Sequence, residues 1–338
     1  MSVLTSETTH ENDEPYAPSC HLYKLSPSAR IENELRELTG TGFSSDTPLD
    51  PLRLNTIDSM HYLGNAGTET MLATFLGDSY TPPTEPLLQS EITGGGGGGV
   101  GGPAKAWKFV DFGAGFGGCA RYVSTRLGPR AHVTCVEITE EIHRTALKLT
   151  ERCGLTSGLA DPAGGGDRVT HVYGDIADET EPRMALPFAG GYDAIYSKLT
   201  VLHIPFDERP MVWRRLRENI KPGGILYLED YFARRPLLAV EDEALGVVVG
   251  CPPPLPAQDA YAQQLLEAGF KVESFVDITE AWGAFVKERA ALYQAGEARH
   301  RRVQGDATYE NMQEFYDNVN KLFHAGNLGG AVIVAKAV

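Results

Sequence analysis

The chain reads as an α/β protein built on a doubly wound sheet, and three observations predict it. Short runs rich in Val, Ile, Thr and aromatic residues alternate with longer segments of helical periodicity. The first clear run, Phe109-Val110-Asp111-Phe112, passes at once into Gly113-Ala114-Gly115-Phe116-Gly117-Gly118, and then into a helical pattern from Cys119 to Val123. Acids stand at the ends of three successive strand-like runs: Asp111, Glu137 and Asp175. Ligands of a doubly wound sheet gather at the carboxyl ends of its strands. One such acid is unremarkable, because strand-end acids often cap a helix or a turn. Three in succession mark a site.

The elements follow in order. Residues 1–25 are polar, charged and without periodicity, the composition of a disordered tail. Residues 26–91 carry helical patterns at Ile31 to Leu38 and at Thr68 to Leu76. Residues 92–103 form a Gly-rich linker. No strand precedes its glycines and no Lys-Ser/Thr follows them, so a phosphate loop is excluded there. The domain proper spans 104–338. Its strands are predicted at Lys108 to Phe112, His132 to Val136, Val169 to Tyr173, Tyr192 to Ser197, Ile225 to Asp230, Phe270 to Ile278 and Ala331 to Ala335. Helices are predicted at Gly118 to Leu127, Glu140 to Cys153, Pro210 to Asn219, Asp259 to Ala268, Trp282 to Tyr293 and Tyr309 to His324. Thr156 to Asp167 reads as a surface loop, and Lys221-Pro222-Gly223-Gly224 as a turn.

Composition narrows the function. With 338 residues the chain holds one large domain or a domain with appendages. A net charge of −15 opposes binding to a nucleic-acid backbone. The short basic runs Arg214-Arg215 and Arg299-His300-Arg301-Arg302 read as solvated helix faces. The 5 cysteines are scattered without a C-x-x-C pair, which argues against a metal site and suits a reducing compartment. No run approaches the ~20 apolar residues of a membrane span, and the N-terminal residues lack the pattern of a signal peptide. A cytoplasmic protein, monomeric or homodimeric, acting on a small molecule is the expectation.

The glycine spacing alone leaves the ligand open. Gly113, Gly115 and Gly118 fit the G-x-G-x-x-G of dinucleotide sites. Glycines let the backbone approach a ligand, and the helix behind offers unpaired N–H groups. Asp111 discriminates. Its carboxylate would repel a pyrophosphate and attract the ammonium and sulfonium of S-adenosylmethionine.

The set of motifs resembles the class I S-adenosylmethionine-dependent methyltransferases from Trp107 to Val338, more weakly back to about Asp58. Val110 to Gly118 is similar to their first motif, Glu137 to the acid after strand two, and Gly174-Asp175-Ile176 to the third-strand motif. Tyr192 to Ser197 and Ile220-Lys221-Pro222-Gly223-Gly224 resemble later motifs. Gly113 to Arg121, Leu202-His203-Ile204-Pro205 and Glu229-Asp230-Tyr231 are similar to the sarcosine/dimethylglycine and phosphoethanolamine N-methyltransferases. Asp58 to Gly64 resembles the helix that precedes the core and lids the site there. The Gly-rich linker and Gly164 to Gly166 depart from that pattern.

The resemblance implies a mostly parallel seven-stranded Rossmann-like sheet with a helical N-terminal lid. It implies that Gly113, Ala114 and Gly115 bind the methionine part of S-adenosylmethionine, with Asp111 by its ammonium. Glu137 would accept the ribose hydroxyls and Asp175 the adenine amine. Ile138 and Ile176 would sandwich the ring or simply pack, and Ser197 and Lys198 would border the methyl group. His203 and His61 are candidate bases, each with a backbone-bonded histidine as the plainer alternative. Tyr62, Tyr196, Tyr231, Trp282 and Tyr316 offer faces for a methylated ammonium, with Asp230 adding charge; helical packing is the competing role for Trp282. A small amine on the way to betaine-type products is the leading acceptor. A phosphorylated amine would call for lid cations, for which Lys287, Arg289, Arg299, Arg301 and Arg302 are candidates. A hydroxylated or lipid-like acceptor methylated on O or C, a dinucleotide oxidoreductase and a non-catalytic binding fold are the alternatives.

Overall fold

The computed structural model describes residues 28–58, 61–82, 105–156, 167–176 and 186–338. The expected tail, the Gly-rich linker and most of the loop after residue 156 lie outside them. The alternation of runs becomes one sheet. Its strands are β1 (Trp107–Phe112), β2 (Ala131–Glu137), β3 (Val169–Tyr173), β4 (Tyr192–Lys198), β5 (Ile220–Ala233), β6 (Phe270–Asp277) and β7 (Leu328–Ala337). The order is β3-β2-β1-β4-β5-β7-β6. Strands β1 to β5 pair in parallel, and β7 runs antiparallel to both β5 and β6. The order reverses between β1 and β2 on one side and β4 on the other, which places a crevice at the carboxyl end of β1.

The period of two along β1 assigns its side chains to two cores. Val110 and Phe112 join Val136, Ile195, Leu226 and Trp213 on one face. That face is covered by α6 (Arg209–Asn219) and α8 (Gln258–Glu267), which supply Trp213, Tyr261 and Leu265. Phe109 joins Val133, Cys135 and Tyr196 on the other. There the covers are α4 (Gly118–Leu127), through Cys119, Ala120 and Val123, and α3 (Gly64–Leu76), through Met71, Leu72 and Phe75. The N-terminal segment therefore divides. Its third helix is a layer of the sheet, whereas α1 (Ser28–Thr39) and α2 (Pro51–Asp58) lie over the crevice and contact α5 (Glu140–Arg152) and α4.

Several local expectations change. The helix expected over Asp58 to Gly64 is not continuous where it is described: α2 ends at Asp58, residues 59 and 60 lie outside the described residues, Leu63 takes a left-handed backbone (φ 59°), and α3 starts at Gly64. Helix α2 itself carried an unused signal, because Asp50 Oδ1 accepts the Leu52 N–H at 2.9 Å in front of Pro51. The turn at Lys221 to Gly224 is drawn into β5, with a register shift opposite Tyr192 and Ala194. Short α7 (Ala239–Ala244) and a π-helical turn over Leu245–Val249 fill the stretch after β5. Between β6 and β7 stand α9 (Thr279–Ala295), α10 (Glu297–Gln304) and α11 (Asp306–Ala325). Helix α10 buries no residue and has no apolar stripe to betray it. No helix among the described residues is long and apolar enough to cross a membrane.

Candidate functional site

A cavity of about 600 Å³ opens at the carboxyl end of β1, a size typical of small-molecule pockets. Its floor is the glycine loop. Gly113 N and Ala114 N both donate to Val136 O at 3.0 Å, which ties the loop to β2. Gly113 has φ +73°, and a Cβ there would sit 2.1 Å from Thr200 Oγ1, so only glycine fits. Thr200 Oγ1 donates to Gly113 O at 3.2 Å and holds the loop from the β4 side. Gly115 has φ +55° and nothing within 4 Å of where a Cβ would be, so its backbone is bare toward the cavity.

Two acids flank this floor. Glu137 accepts the Gly115 N–H at 2.9 Å on Oε2 and the Thr139 N–H at 2.8 Å on Oε1. It holds the loop open as well as facing the cavity, and each carboxylate oxygen keeps a second lone pair. Asp111 is 4% exposed, lines the cavity, and its Oδ2 has no hydrogen-bond partner. Burial pushes its carboxyl up to about 7. Nearby Lys198 does not neutralise it, because its Nζ pairs with Glu229 Oε1 at 2.7 Å. A buried carboxylate oxygen left without a partner at the edge of a glycine cradle fits a ligand that brings an ammonium, as S-adenosylmethionine does. It does not fit a pyrophosphate.

The wall opposite the loop holds two histidines and two tyrosines. His203 Nδ1 lies 3.1 Å from Gly250 O. A carbonyl only accepts, so Nδ1 carries the hydrogen and Nε2 presents the lone pair. Burial lowers its pKa to about 4, which keeps the ring neutral. His61 Nδ1 faces Tyr62 O at 3.2 Å, and burial lowers that ring to about 3. Tyr62 Oη and Tyr231 Oη are 2.5 Å apart, and burial raises the Tyr62 hydroxyl to about 12. All four side chains line the cavity.

Not every expected residue reaches it. Gly113, Ala114, Gly115, Asp111, Glu137, Ile138, Lys198, His61, Tyr62, His203 and Tyr231 line the cavity together. Asp230 does not: strand alternation turns it to the far face, where it accepts from Tyr261 Oη at 2.7 Å. Trp282 is fully buried over Gly330, whose Cβ would meet its ring at 2.1 Å. It meets Tyr62 edge-on at 4.9 Å and so supports that ring from behind. Ser197 is spent on a hydrogen bond to Phe112 O at 2.9 Å. Asp175 and Ile176 sit just past β3, at the limit of the described residues and outside the cavity lining.

The roof comes from residues the sequence did not mark, or marked without placing. Asp58 on α2 pairs with Arg121 on α4, both side chains fully buried, and Arg121 also donates to Thr150 Oγ1 at 2.9 Å. A Cβ on Gly118 would lie 2.7 Å from Asp58 Oδ1, so the last glycine of the loop is also what lets α2 dock. On α1, Glu34 accepts from Arg299 at 2.7 and 3.2 Å and from Gln304 at 2.5 Å. Arg302 bridges Glu37 at 2.6 and 3.0 Å. The basic run on α10 is thus a clasp onto α1, not only a solvated face. Arg30, Glu34, Arg289, Arg299 and Tyr316 all line the cavity.

Comparisons with known proteins show what the chain is similar to. Residues 110–228 match the family described as a methyltransferase domain. The chain is 24% identical over 208 residues to a phosphoethanolamine N-methyltransferase of Plasmodium falciparum, covering 62% of this chain and 64% of that protein. It is 25% identical over 223 residues to phosphoethanolamine N-methyltransferase 3 of Arabidopsis thaliana, covering 66% of this chain and 38% of that protein. The match therefore spans less than two thirds of either relative. A proposed sarcosine dimethylglycine methyltransferase from Galdieria sulphuraria superposes with a TM-score of 0.60 at 15% identity, over 91% of this chain and 97% of that one. At that identity the likeness is one of fold.

Proposed function

We propose, on the premise that the chain is built around a class I S-adenosylmethionine-dependent methyltransferase domain, that it transfers a methyl group to the nitrogen of a small-molecule amine. The observation that carries this reading is the pairing within one cavity of Asp111, a buried carboxylate with a partnerless oxygen, and His203, a neutral histidine whose Nδ1 is set on Gly250 O. The names of the two curated relatives favour nitrogen as the acceptor atom.

The donor brings an activated methyl group on a positive sulfur. What the protein must do is bind, orient, remove a proton and keep water out. Asp111 holds the ammonium end of the donor, and Gly113 to Gly115 let the backbone close on it. Glu137 keeps that loop in shape through Gly115 N. The proton that leaves the acceptor amine goes to His203 Nε2, with Nδ1 fixed on Gly250 O. The Tyr62–Tyr231 pair supplies ring faces suited to an alkylated ammonium product. Helices α1 and α2 exclude water from above.

The test is release of S-adenosylhomocysteine across matched acceptors: primary, secondary and tertiary amines against phenols and alcohols of similar size. Transfer to amines with little transfer to hydroxyls supports the reading. Transfer confined to hydroxyls or carbon, or tight binding of NAD in place of S-adenosylmethionine, overturns it.

A further inference from the structure

Part of the cavity lining, which we call the second lobe, comes from α1, α9, α10 and α11 and not from the glycine loop. Its chemistry differs from the donor end. Tyr293, Phe315 and Tyr316 give it aromatic walls, and Met312 and Leu292 add apolar ones. Two guanidinium groups enter from different helices, Arg30 from α1 and Arg289 from α9. The Arg289 Cζ lies 5.4 Å from the Tyr316 ring centroid and 5.7 Å from that of Phe285. Among the described residues Arg289 makes no ion pair. Arg30 is packed close enough to Arg289 for the two charges to oppose one another, and Tyr316, Glu34 and Tyr293 act on it in the other direction.

Among the described residues, Glu34 is the acid that acts on Arg30, and it is already committed. Glu34 accepts from Arg299 and Gln304, which form the clasp. Among the described residues, Arg30, Arg289 and Arg299 line this lobe together with the carboxylate of Glu34, in a chain whose net charge is −15. A concentration of positive charge inside an acidic protein, facing a cavity, calls for an anion. Arg289, already placed over aromatic rings, is also pre-oriented to form bidentate bonds with a carboxylate or phosphate.

The walls set a second condition. An acceptor as small as an N-methylated glycine would satisfy the arginines and leave the faces of Tyr293, Phe315 and Tyr316 in contact with water. We infer that this lobe selects an acceptor that carries a carboxylate or phosphate, held by Arg30 and Arg289, on an apolar frame of aromatic size seated against Tyr293, Phe315 and Tyr316. The inference rests on the methyltransferase reading, since it assigns this lobe to the acceptor. Arg289 also acts electrostatically on His61 and Tyr62, so the anion end of the lobe adjoins the wall where the chemistry is placed.

Calorimetric titration separates the two readings. Full-length protein, with and without saturating S-adenosylhomocysteine, is titrated with 3-phenylpropionate, phenyl phosphate, the neutral 3-phenylpropionamide, and acetate and inorganic phosphate. At least one aryl anion is expected to bind tenfold or more tighter than both the amide and the matching small anion. Which aryl anion wins tells carboxylate from phosphate. Arg289→Met and Arg30→Met are expected to remove at least tenfold of that affinity and to leave S-adenosylhomocysteine binding within twofold. Arg302→Met, on the outer face of the clasp, changes neither. If Arg30→Met fails to fold, Arg289→Met carries the comparison. Equal binding of aryl anion and amide, equal binding of aryl and small anions, or full retention by Arg289→Met overturns the inference. Failure of S-adenosylhomocysteine to bind would instead strike the donor assignment, and the titrations without it would still decide the acceptor lobe.

Discussion

Donor binding should release a proton, and Asp111 should be its source. The carboxyl is raised from 3.8 to about 7 because it is buried, with the opposing charge of Lys198 only partly offsetting the loss of water. Glu137 adds repulsion from β2, and Tyr196 and the Ala120 N–H act from β4 and α4. In the free protein at pH 5 roughly one molecule in a hundred has Asp111 ionised, and at pH 7 about half. The donor's α-amino group stays charged below about pH 7.7. Only the ionised carboxylate suits it, so apparent affinity scales with the ionised fraction. S-adenosylhomocysteine should bind roughly 50-fold tighter at pH 7 than at pH 5, with a slope near one decade per pH unit at the acid end. Calorimetry at pH 6 in two buffers of different ionisation enthalpy should report close to one proton released per ligand bound.

The raised carboxyl also bears on stability, with the opposite preference. Its folded value lies above the unfolded one, so folding favours the protonated form. That contribution is complete below about pH 4 and is lost as pH rises through 7. A rise from 3.8 to about 7 corresponds to roughly 4 kcal/mol for the bare protein. Asp111→Asn should therefore raise the melting temperature of the ligand-free protein at pH 8, flatten the pH dependence of S-adenosylhomocysteine affinity between pH 5 and 7, and weaken binding at pH 7 about tenfold or more. A flat affinity profile in the unmodified protein with no proton released would refute the reasoning. So would an Asn variant that keeps the slope, since the titrating group would then lie elsewhere, with Asp58 the next candidate.

Three further outcomes are expected. Asp58→Ala leaves Arg121 buried without its counter-charge, so chemical denaturation should show a loss of about 3–5 kcal/mol; a loss below about 1 kcal/mol would mean the pair is open in solution. Gly113→Ala must fit a methyl group 2.1 Å from Thr200 Oγ1 at φ +73°, so donor affinity should drop tenfold or more; Thr200→Gly in the same chain should restore part of it. His203→Ala should lower kcat/KM on an amine about 100-fold at pH 7 and much less at pH 9, where the free amine sheds its own proton. An equal deficit at both pH values would make His203 a packing residue.

The sheet was legible because its signal is local. β1 and β3 run into a glycine and β2 ends on an acid, and the boundaries of β1 to β4 fall within a residue or so of their expected places. The glycine floor of the cavity was legible for the same reason, since Asp111 to Gly118 is one continuous stretch. What the sequence hid was set by contacts far apart in the chain. The face that Asp230 occupies depends on the register of β5 against β7, and Trp282 is committed to the core by Gly330, 48 positions away. Arg30 gave no sign of its place, because it becomes part of the cavity only when α1 lies against α10. Arg299 and Arg302 looked solvated because their partners, Glu34 and Glu37, are each 265 residues distant.

The two halves of the roof are held by unlike forces, and that difference says which half opens. Helix α2 is fixed through a fully buried ion pair, and Gly118 gives it the room to approach the donor loop. Breaking such a pair in place costs about 3–5 kcal/mol. Helix α10 has no buried residue and holds α1 through arginines that are about half exposed, at 43% for Arg299 and 61% for Arg302. The Arg302–Glu37 pair, open to solvent on both sides, contributes at most about 1 kcal/mol and weakens with salt, while Arg299 reaches the buried Glu34 from a half-exposed position. We therefore place the entrance for the proposed acceptor at the clasp between α1 and α10, with α2 staying over the glycine loop. Hydrogen exchange should show α10 and α1 exchanging well before α2, with the gap widening as salt is raised from about 50 to about 500 mM. Uniform protection across α1, α2 and α10 would place the entrance elsewhere.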